Sequence, residues 1–225
     1  MRCTAYWLGS VEYHEAYDMQ KRMLASRLRG EMPDAILLLE HLPVFTIGKS
    51  GKQENVLVPR GELLKRGITL FFTDRGGDVT YHGPGQLVAY PIMDLRDRNK
   101  DLHRYVYELE EAIIRTLGEY AIEGCRDETH PGVWVEGDEI AAIGLSVKNW
   151  VTMHGISINV NPNMDHFSLI HPCGFTDRRA TSIARILSVD IPIGEIMHKF
   201  VLHFSSVFGA DLEWGSTLPP GPASS

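Results

Sequence analysis

A chain of 225 residues with 44% hydrophobic and 23% charged side chains has enough apolar material for one large, well-buried core. Its formal net charge of −7 and pI near 5.8, with no lysine- or arginine-rich stripe, argue against a dedicated nucleic-acid binder. No apolar run approaches the roughly 18 residues of a membrane span, and Met1 to Gly9 lack the features of a signal peptide. Cys3, Cys125 and Cys173 are widely separated and form no Cys-x-x-Cys pair, so neither a disulfide framework nor a cysteine metal site is expected. The expectation is a reduced, cytoplasmic protein without a membrane or nucleic-acid partner.

Tyr13 to Arg29 repeats Ala16, Met19, Met23, Leu24 and Leu28 at helical spacing, and Gly30 with Pro33 closes this amphipathic helix. Ala35 to Glu40 is an unbroken apolar run ahead of His41 and Pro43, the profile of a strand buried on both faces, and Val44 to Ile47 forms a second strand. Gly48-Lys49-Ser50-Gly51-Lys52 invites a phosphate-loop reading. Gln53 follows where a serine or threonine is required and no helical run comes next, so that reading is rejected. Gly61 to Arg66 reads as a short helix, Ile68 to Thr73 as a strand, and Gln86 to Ile92 as another, with a glycine-rich loop between those two strands.

Leu102 to Tyr120 predicts a second amphipathic helix, with Glu108, Glu110 and Glu111 mostly outward. Gly132 to Val135, Ile140 to Val147 and Val151 to Val160 read as an antiparallel meander broken by short polar turns. A helix follows around Ser182 to Leu187, and Pro192 starts a last one over Ile193 to Phe208. The composition beyond Trp214 suits a flexible tail, so the domain is expected over 1–214 and the tail over 215–225. Hairpin turns outnumber strand–helix–strand units, which predicts an α/β domain with a mixed, largely antiparallel sheet flanked by helices and disfavours a Rossmann fold.

The segment Arg75-Gly76-Gly77-Asp78-Val79-Thr80-Tyr81-His82-Gly83-Pro84-Gly85-Gln86 is too polar and glycine-rich to serve packing alone. Its glycines allow close backbone approach to a ligand, and its cation, anion, hydroxyls and imidazole suit a carbonyl compound or an anion. A long hairpin loop is the plainer alternative. Cys173 lies in His171-Pro172-Cys173-Gly174, where the flanking proline and glycine suggest a presented thiol rather than the packed residue that a lone cysteine more often is. Cys3 and Cys125 have no such setting and read as packing or surface residues.

Taken in order, Arg75 to Val88, Gly132-Val133-Trp134-Val135, Ile140-Ala141-Ala142-Ile143-Gly144, His154-Gly155 with Asn159-Val160-Asn161, and Pro172-Cys173-Gly174 resemble the octanoyltransferases of lipoate synthesis over roughly Trp7 to Phe208. The resemblance implies the α/β fold of lipoate–protein ligases and biotin–protein ligase catalytic domains. It also implies transfer of an octanoyl group from octanoyl-acyl carrier protein to a lysine of lipoyl domains, those of 2-oxoacid dehydrogenases and the glycine-cleavage H protein, without cofactor or metal. Cys173 would be the nucleophile. Substrate contacts would fall on Arg75, Gly76, Gly77, Asp78, Val79, Thr80, Tyr81 and His82, on Ala142, Ile143 and Gly144, and on Gly155, Ile156 and Ser157.

The pattern departs from that family at one position. A lysine normally precedes the Ile-Ala-Ala-Ile-Gly strand and lowers the thiol pKa, and Glu139 stands there instead. Lys148 is nine positions further along, about 30 Å if the strand is extended, and out of reach. His82 and His154 are therefore the expected activators of Cys173, either as imidazolium partners or as proton acceptors. Two rival readings are an ATP-dependent lipoate or biotin ligase, and a binding protein that keeps the pocket without turnover. For the acidic carrier protein, Arg126, Arg178 and Arg179 are the expected docking residues.

Overall fold

The computed structural model describes residues 2–171 and 179–216. Within them the chain opens with strand β1 (Arg2–Val11), helix α1 (Tyr13–Leu28) and strands β2 (Asp34–His41) and β3 (Val44–Ile47). Next come α2 (Arg60–Lys65), β4 (Thr69–Phe72), β5 (Val79–His82), β6 (Gln86–Ile92) and α3 (Leu102–Gly118). Strands β7 (Cys125–Arg126), β8 (Gly132–Val135), β9 (Asp138–Lys148) and β10 (Val151–Asn159) precede α4 (Ile183–Leu187), α5 (Ile193–Phe208) and β11 (Asp211–Trp214).

Eight strands form one mixed sheet in the order β11-β1-β2-β6-β10-β9-β8-β7, and β4-β3-β5 form a small second sheet. β1 runs parallel to β2 and β11, whereas the run from β2 through β6, β10, β9 and β8 to β7 is antiparallel. The predicted α/β class, the helices and the β8–β9–β10 meander are present. β1 and β11 have no counterpart in the sequence reading, because β1 is neither an unbroken apolar run nor a clean alternation. The glycine-rich segment is not simply a loop: Val79–His82 pairs antiparallel with β3 and completes the small sheet.

Alternation along the strands divides the core. Ile36 and Leu38 of β2 pack on one face with Leu109, Ile113, Phe200 and Phe204 of α3 and α5, while Leu37 and Leu39 pack on the other with Ala16, Met23 and Leu24 of α1. Local signals fix the helix ends: the Asp101 carboxylate accepts from Arg104 N–H at the start of α3, and Ser182 Oγ accepts from Arg185 N–H at the start of α4. Two carboxylates expected to point outward are buried. Glu108 is held by Arg98 and Arg104, and Glu110 accepts from Gly132 N–H at 3.1 Å and pairs with Arg126. Helical spacing shows which face a residue occupies, but β8 and the loop at Arg98 cover part of the α3 face that periodicity assigned to solvent.

Candidate active site

The glycine-rich segment and the centres of β9 and β10 come together around a narrow cleft. Arg75, Gly76, Gly77, Val79, Thr80, His82, Ala142, Ile143, Gly144, His154, Gly155, Ile156 and Ser157 line it, all of them singled out in the sequence. Gly155 is there because nothing larger fits: a Cβ would lie 2.2 Å from the carbonyl oxygen of Ala89 on β6. Gly77 adopts φ +86°, a left-handed conformation that costs other residues strain.

Arg75 has a structural task. Its Nε and Nη2 donate to Thr46 Oγ1 at 3.1 and 2.9 Å, Nη2 also to the carbonyl oxygens of Thr46 and Asp78 at 2.7 Å each, and Nη1 to Gly76 O at 3.0 Å. The guanidinium thus staples the glycine-rich turn to β3. Asp78 and Tyr81 do not line the cleft. The Asp78 carboxylate accepts from the backbone N–H of Val79 and Lys52, closing the turn at 48–52, and Tyr81 packs edge-on to Phe45 and Phe167 in the core of the small sheet.

His82 is buried, and its Nδ1 lies 3.2 Å from Gln86 Oε1. The Gln86 amide donates from Nε2 to Tyr81 O and Asn159 Oδ1, so its Oε1 is the acceptor and His82 Nδ1 carries the proton. His82 Nε2 is therefore the basic nitrogen. Burial, reinforced by His41 and Arg75, pushes the His82 pKa well below its ordinary value. Of the two expected ways for His82 to activate a thiol, this leaves proton acceptance and removes the standing imidazolium.

His154 occupies an unusual backbone position, φ +61° in the middle of β10. Val151 and Met153 face α1 and Ile156 and Ile158 face α3 and α5, so strict alternation would send His154 toward α3 and α5. Instead its ring stacks on Tyr17 of α1 at 5.6 Å and its Nε2 meets Asp74 Oδ1 at 2.8 Å. The left-handed turn places this imidazole on the α1 side, at a cost typical of strained functional positions. Burial lowers its pKa more than Asp74 raises it, which keeps it neutral near pH 7. For Asp74, burial acts upward, but the His154 ring and the Tyr17 hydroxyl outweigh it and hold the carboxyl below the usual range.

Glu139 also borders the cleft. Its backbone bridges to Ala180: Glu139 N–H donates to Arg179 O at 2.8 Å, and Thr181 N–H donates to Glu139 O at 2.9 Å. Cys173 and Arg178 lie outside the described residues. The chain just after them, at 179–181, is stitched to the strand position that Glu139 occupies. Lys148 is exposed at the far end of the unbroken strand β9.

Tyr13, Tyr90 and Pro131 line the cleft as well, and the sequence reading did not include them. The signal for Tyr13 was faint: an aromatic residue with a polar tip on the inward face of an amphipathic helix. Arg126 is not a free docking cation. Its guanidinium lies 3.2 Å from Glu110 and 2.6 Å from Glu111, and over the Tyr107 ring at 3.7 Å. Among the described residues no cluster of three or more His, Cys, Asp or Glu could hold a metal ion, and no helix is long and apolar enough to cross a membrane.

The glycine-bearing centres of β9 and β10 thus open onto a narrow cleft bordered by two neutral imidazoles, and comparison with known proteins places this domain among lipoyl protein ligases and transferases. Residues 12–205 match the lipoyl protein ligase A/B catalytic domain. The chain is 48% identical over 212 residues to an octanoyltransferase of Caldicellulosiruptor saccharolyticus, covering 93% of this chain and 90% of that protein. It is 45% identical over 216 residues to an octanoyltransferase of Solibacter usitatus, with 96% and 97% covered.

Among solved structures the fold is similar to lipoate-protein ligase A bound with ATP (TM-score 0.76, 16% identity, 96% of this chain and 89% of that one). It is also similar to the bipartite lipoate protein ligase described with its E2 lipoyl domain from Thermoplasma acidophilum (TM-score 0.73, 16%, 96% and 87%). A biotin protein ligase of Aquifex aeolicus is more distant (TM-score 0.54, 15%, 93% and 70%). The chain belongs to the lipoyl protein ligase A/B catalytic-domain family and, within it, to the octanoyltransferases.

Proposed function

We propose that the protein transfers an octanoyl group from octanoyl-acyl carrier protein, through a thioester on Cys173, to a lysine amine of lipoyl domains such as those of 2-oxoacid dehydrogenases and the glycine-cleavage H protein. The Cys173 thiolate attacks the donor carbonyl, the tetrahedral intermediate collapses, and the carrier's thiol leaves with a proton. The neutral lysine amine then attacks the enzyme thioester, an amide forms, the C–S bond breaks, and the proton shed by the amine returns the cysteine to its thiol. Cys3 is buried, with burial pushing its thiol up to about 12, and is no rival nucleophile.

The observation that carries this reading is the His82 tautomer. A buried neutral imidazole with Nε2 as its basic nitrogen borders the glycine-lined cleft and supplies the proton acceptor that a thiol lacks when Glu139 replaces the family's lysine. His154 is assigned a second role in the cleft, orienting the incoming group with its ring fixed by Asp74. Arg75, Gly76, Gly77, Val79, Thr80, Ala142, Ile143, Gly144, Gly155, Ile156 and Ser157 form the walls that receive the acyl chain. A cytoplasmic setting, which keeps thiols reduced, suits the mechanism.

The test is intact mass spectrometry after incubation with octanoyl-acyl carrier protein in the absence of ATP. The expected result is a hydroxylamine-sensitive octanoyl adduct that Cys173→Ala abolishes and that a lipoyl domain discharges. A strict requirement for ATP and Mg²⁺ with free octanoate would instead make the protein a ligase. Tight binding of a lipoyl domain or carrier with no adduct would support the non-catalytic reading that Glu139 favours.

A further inference from the structure

Acyl transfer as proposed leaves a second cavity unused. It has a volume of about 350 Å³, lies between the start of α1 and the small sheet, and is lined by Leu42, Pro43, Val44, Leu70 and Phe71 on one side and by Glu12, His14 and Thr69 at its polar rim. Tyr13 borders both this cavity and the cleft. Its ring lies nearly parallel to His82 of the cleft, at 6.1 Å and 11°, and Phe71 of the second cavity is 5.0 Å from it. The phenol oxygen donates to Thr73 Oγ1 at 3.1 Å, which fixes the ring, and the residue is only 4% exposed.

We propose that Tyr13 is the chain-length stop of the acyl-binding cleft: its ring partitions the cleft from the second cavity behind it, so that a medium-length acyl chain ends against the ring. The inference rests on the octanoyl-transfer reading. Three features support it. The ring is rigid and tethered at both ends, by the helix backbone and by Thr73, so it resists displacement by a longer chain. In the space beyond, Leu42, Val44, Leu70 and Phe71 offer carbon to a chain entering from the cleft. The hydroxyl is held protonated by burial and is occupied by Thr73, so the face turned to the cleft is aromatic rather than ionic.

The experiment measures Cys173 acylation with octanoyl, decanoyl, dodecanoyl and tetradecanoyl carrier-protein thioesters, for wild type, Tyr13→Phe, Tyr13→Leu and Tyr13→Ala, each checked for folding by its thermal melt. Tyr13→Phe keeps the ring but loses the Thr73 tether, and is expected to shift the profile toward longer chains less than Tyr13→Leu does. Tyr13→Ala is expected to raise the dodecanoyl to octanoyl ratio of kcat/KM by roughly tenfold or more, the scale of methylene discrimination in apolar pockets. Adding Leu42→Trp to Tyr13→Ala, which refills the second cavity from its rim, is expected to lower that ratio again.

Should the alanine variant fail to fold, Tyr13→Leu reads the same shift at smaller amplitude. A folded Tyr13→Ala or Tyr13→Leu variant with an unchanged chain-length profile overturns the role of Tyr13 and leaves the transferase reading intact. A wild-type protein that accepts no acyl group from any donor overturns both.

Discussion

The two faces of the large sheet are built from the same strands and behave as different materials. The face under α3 and α5 is mostly carbon: Phe200, Phe204, Leu109, Ile113, Ile156 and Ile158 are buried there, with the ion-paired carboxylates Glu108 and Glu110 of α3 as its polar exceptions. The face under α1 and the small sheet holds His41, His82, His154, Tyr13, Tyr90, Gln20 and Arg75, all buried. On that side His41 Nε2 meets the Tyr90 hydroxyl at 2.7 Å and His154 N–H donates to Gln20 Oε1 at 2.7 Å. The first face supplies stability through area removed from water, and the second spends some of it holding polar groups in fixed orientations. A period-two strand can serve both because neighbouring residues answer to different surroundings.

That contrast is sharpened first by removing the proposed base. His82→Ala is expected to slow Cys173 acylation by about 10²- to 10⁴-fold, the usual range for a general base, more than its loss of stability accounts for when both are measured on the folded protein. An unchanged single-turnover rate would relocate the base. On the other face, Phe204→Ala is expected to cost about 3–5 kcal/mol in urea unfolding, with the acylation rate of the folded protein preserved at low temperature. Loss of activity without loss of stability there would break the division of labour.

The polar face also predicts an acid sensitivity. Burial draws the His41 pKa down to about 4, and the unfolded chain takes up this proton near 6.5. The unfolded state therefore binds more protons as pH falls, so stability is full above about pH 6.5, declines toward pH 4 and then levels off. The contribution is on the order of 3 kcal/mol. Urea midpoints between pH 7.5 and 4.5 should show this slope, and His41→Gln should reduce it to the part that the depressed His82 and His154 contribute in the same direction.

The smallest effects concern docking. Arg126→Ala should lower the melting temperature, because the buried Glu110 loses its cationic partner, yet leave the KM for the acidic donor unchanged. Arg179→Glu should raise that KM a few-fold at low salt and hardly at all at high salt. Equal effects of the two substitutions would return Arg126 to the docking surface.

Much of the cleft was legible because its residues are incompatible with ordinary packing. Gly144 and Gly155 in the middle of strands, and four glycines between Arg75 and Gln86, mark close backbone approach wherever they fall. Tyr13 and Tyr90 escaped notice because an aromatic residue on a buried face looks the same in sequence whether it meets a core or a cavity. β1 escaped because its partners, β2 and β11, lie far along the chain and it runs parallel to both.

By itself the sequence determined the α/β class, the amphipathic helices, the antiparallel meander and the family, since periodicity, turn chemistry and motif order are local properties. Only the tertiary structure decided that Arg75 serves as a staple, that Arg126 is neutralised by Glu110 and Glu111, that Asp78 and Tyr81 face away from the cleft, and that His154 crosses to the α1 side. Each depends on which carbonyl, carboxylate or ring another segment brings within hydrogen-bonding distance, and on the one left-handed backbone turn that reverses a side chain against the period of its strand.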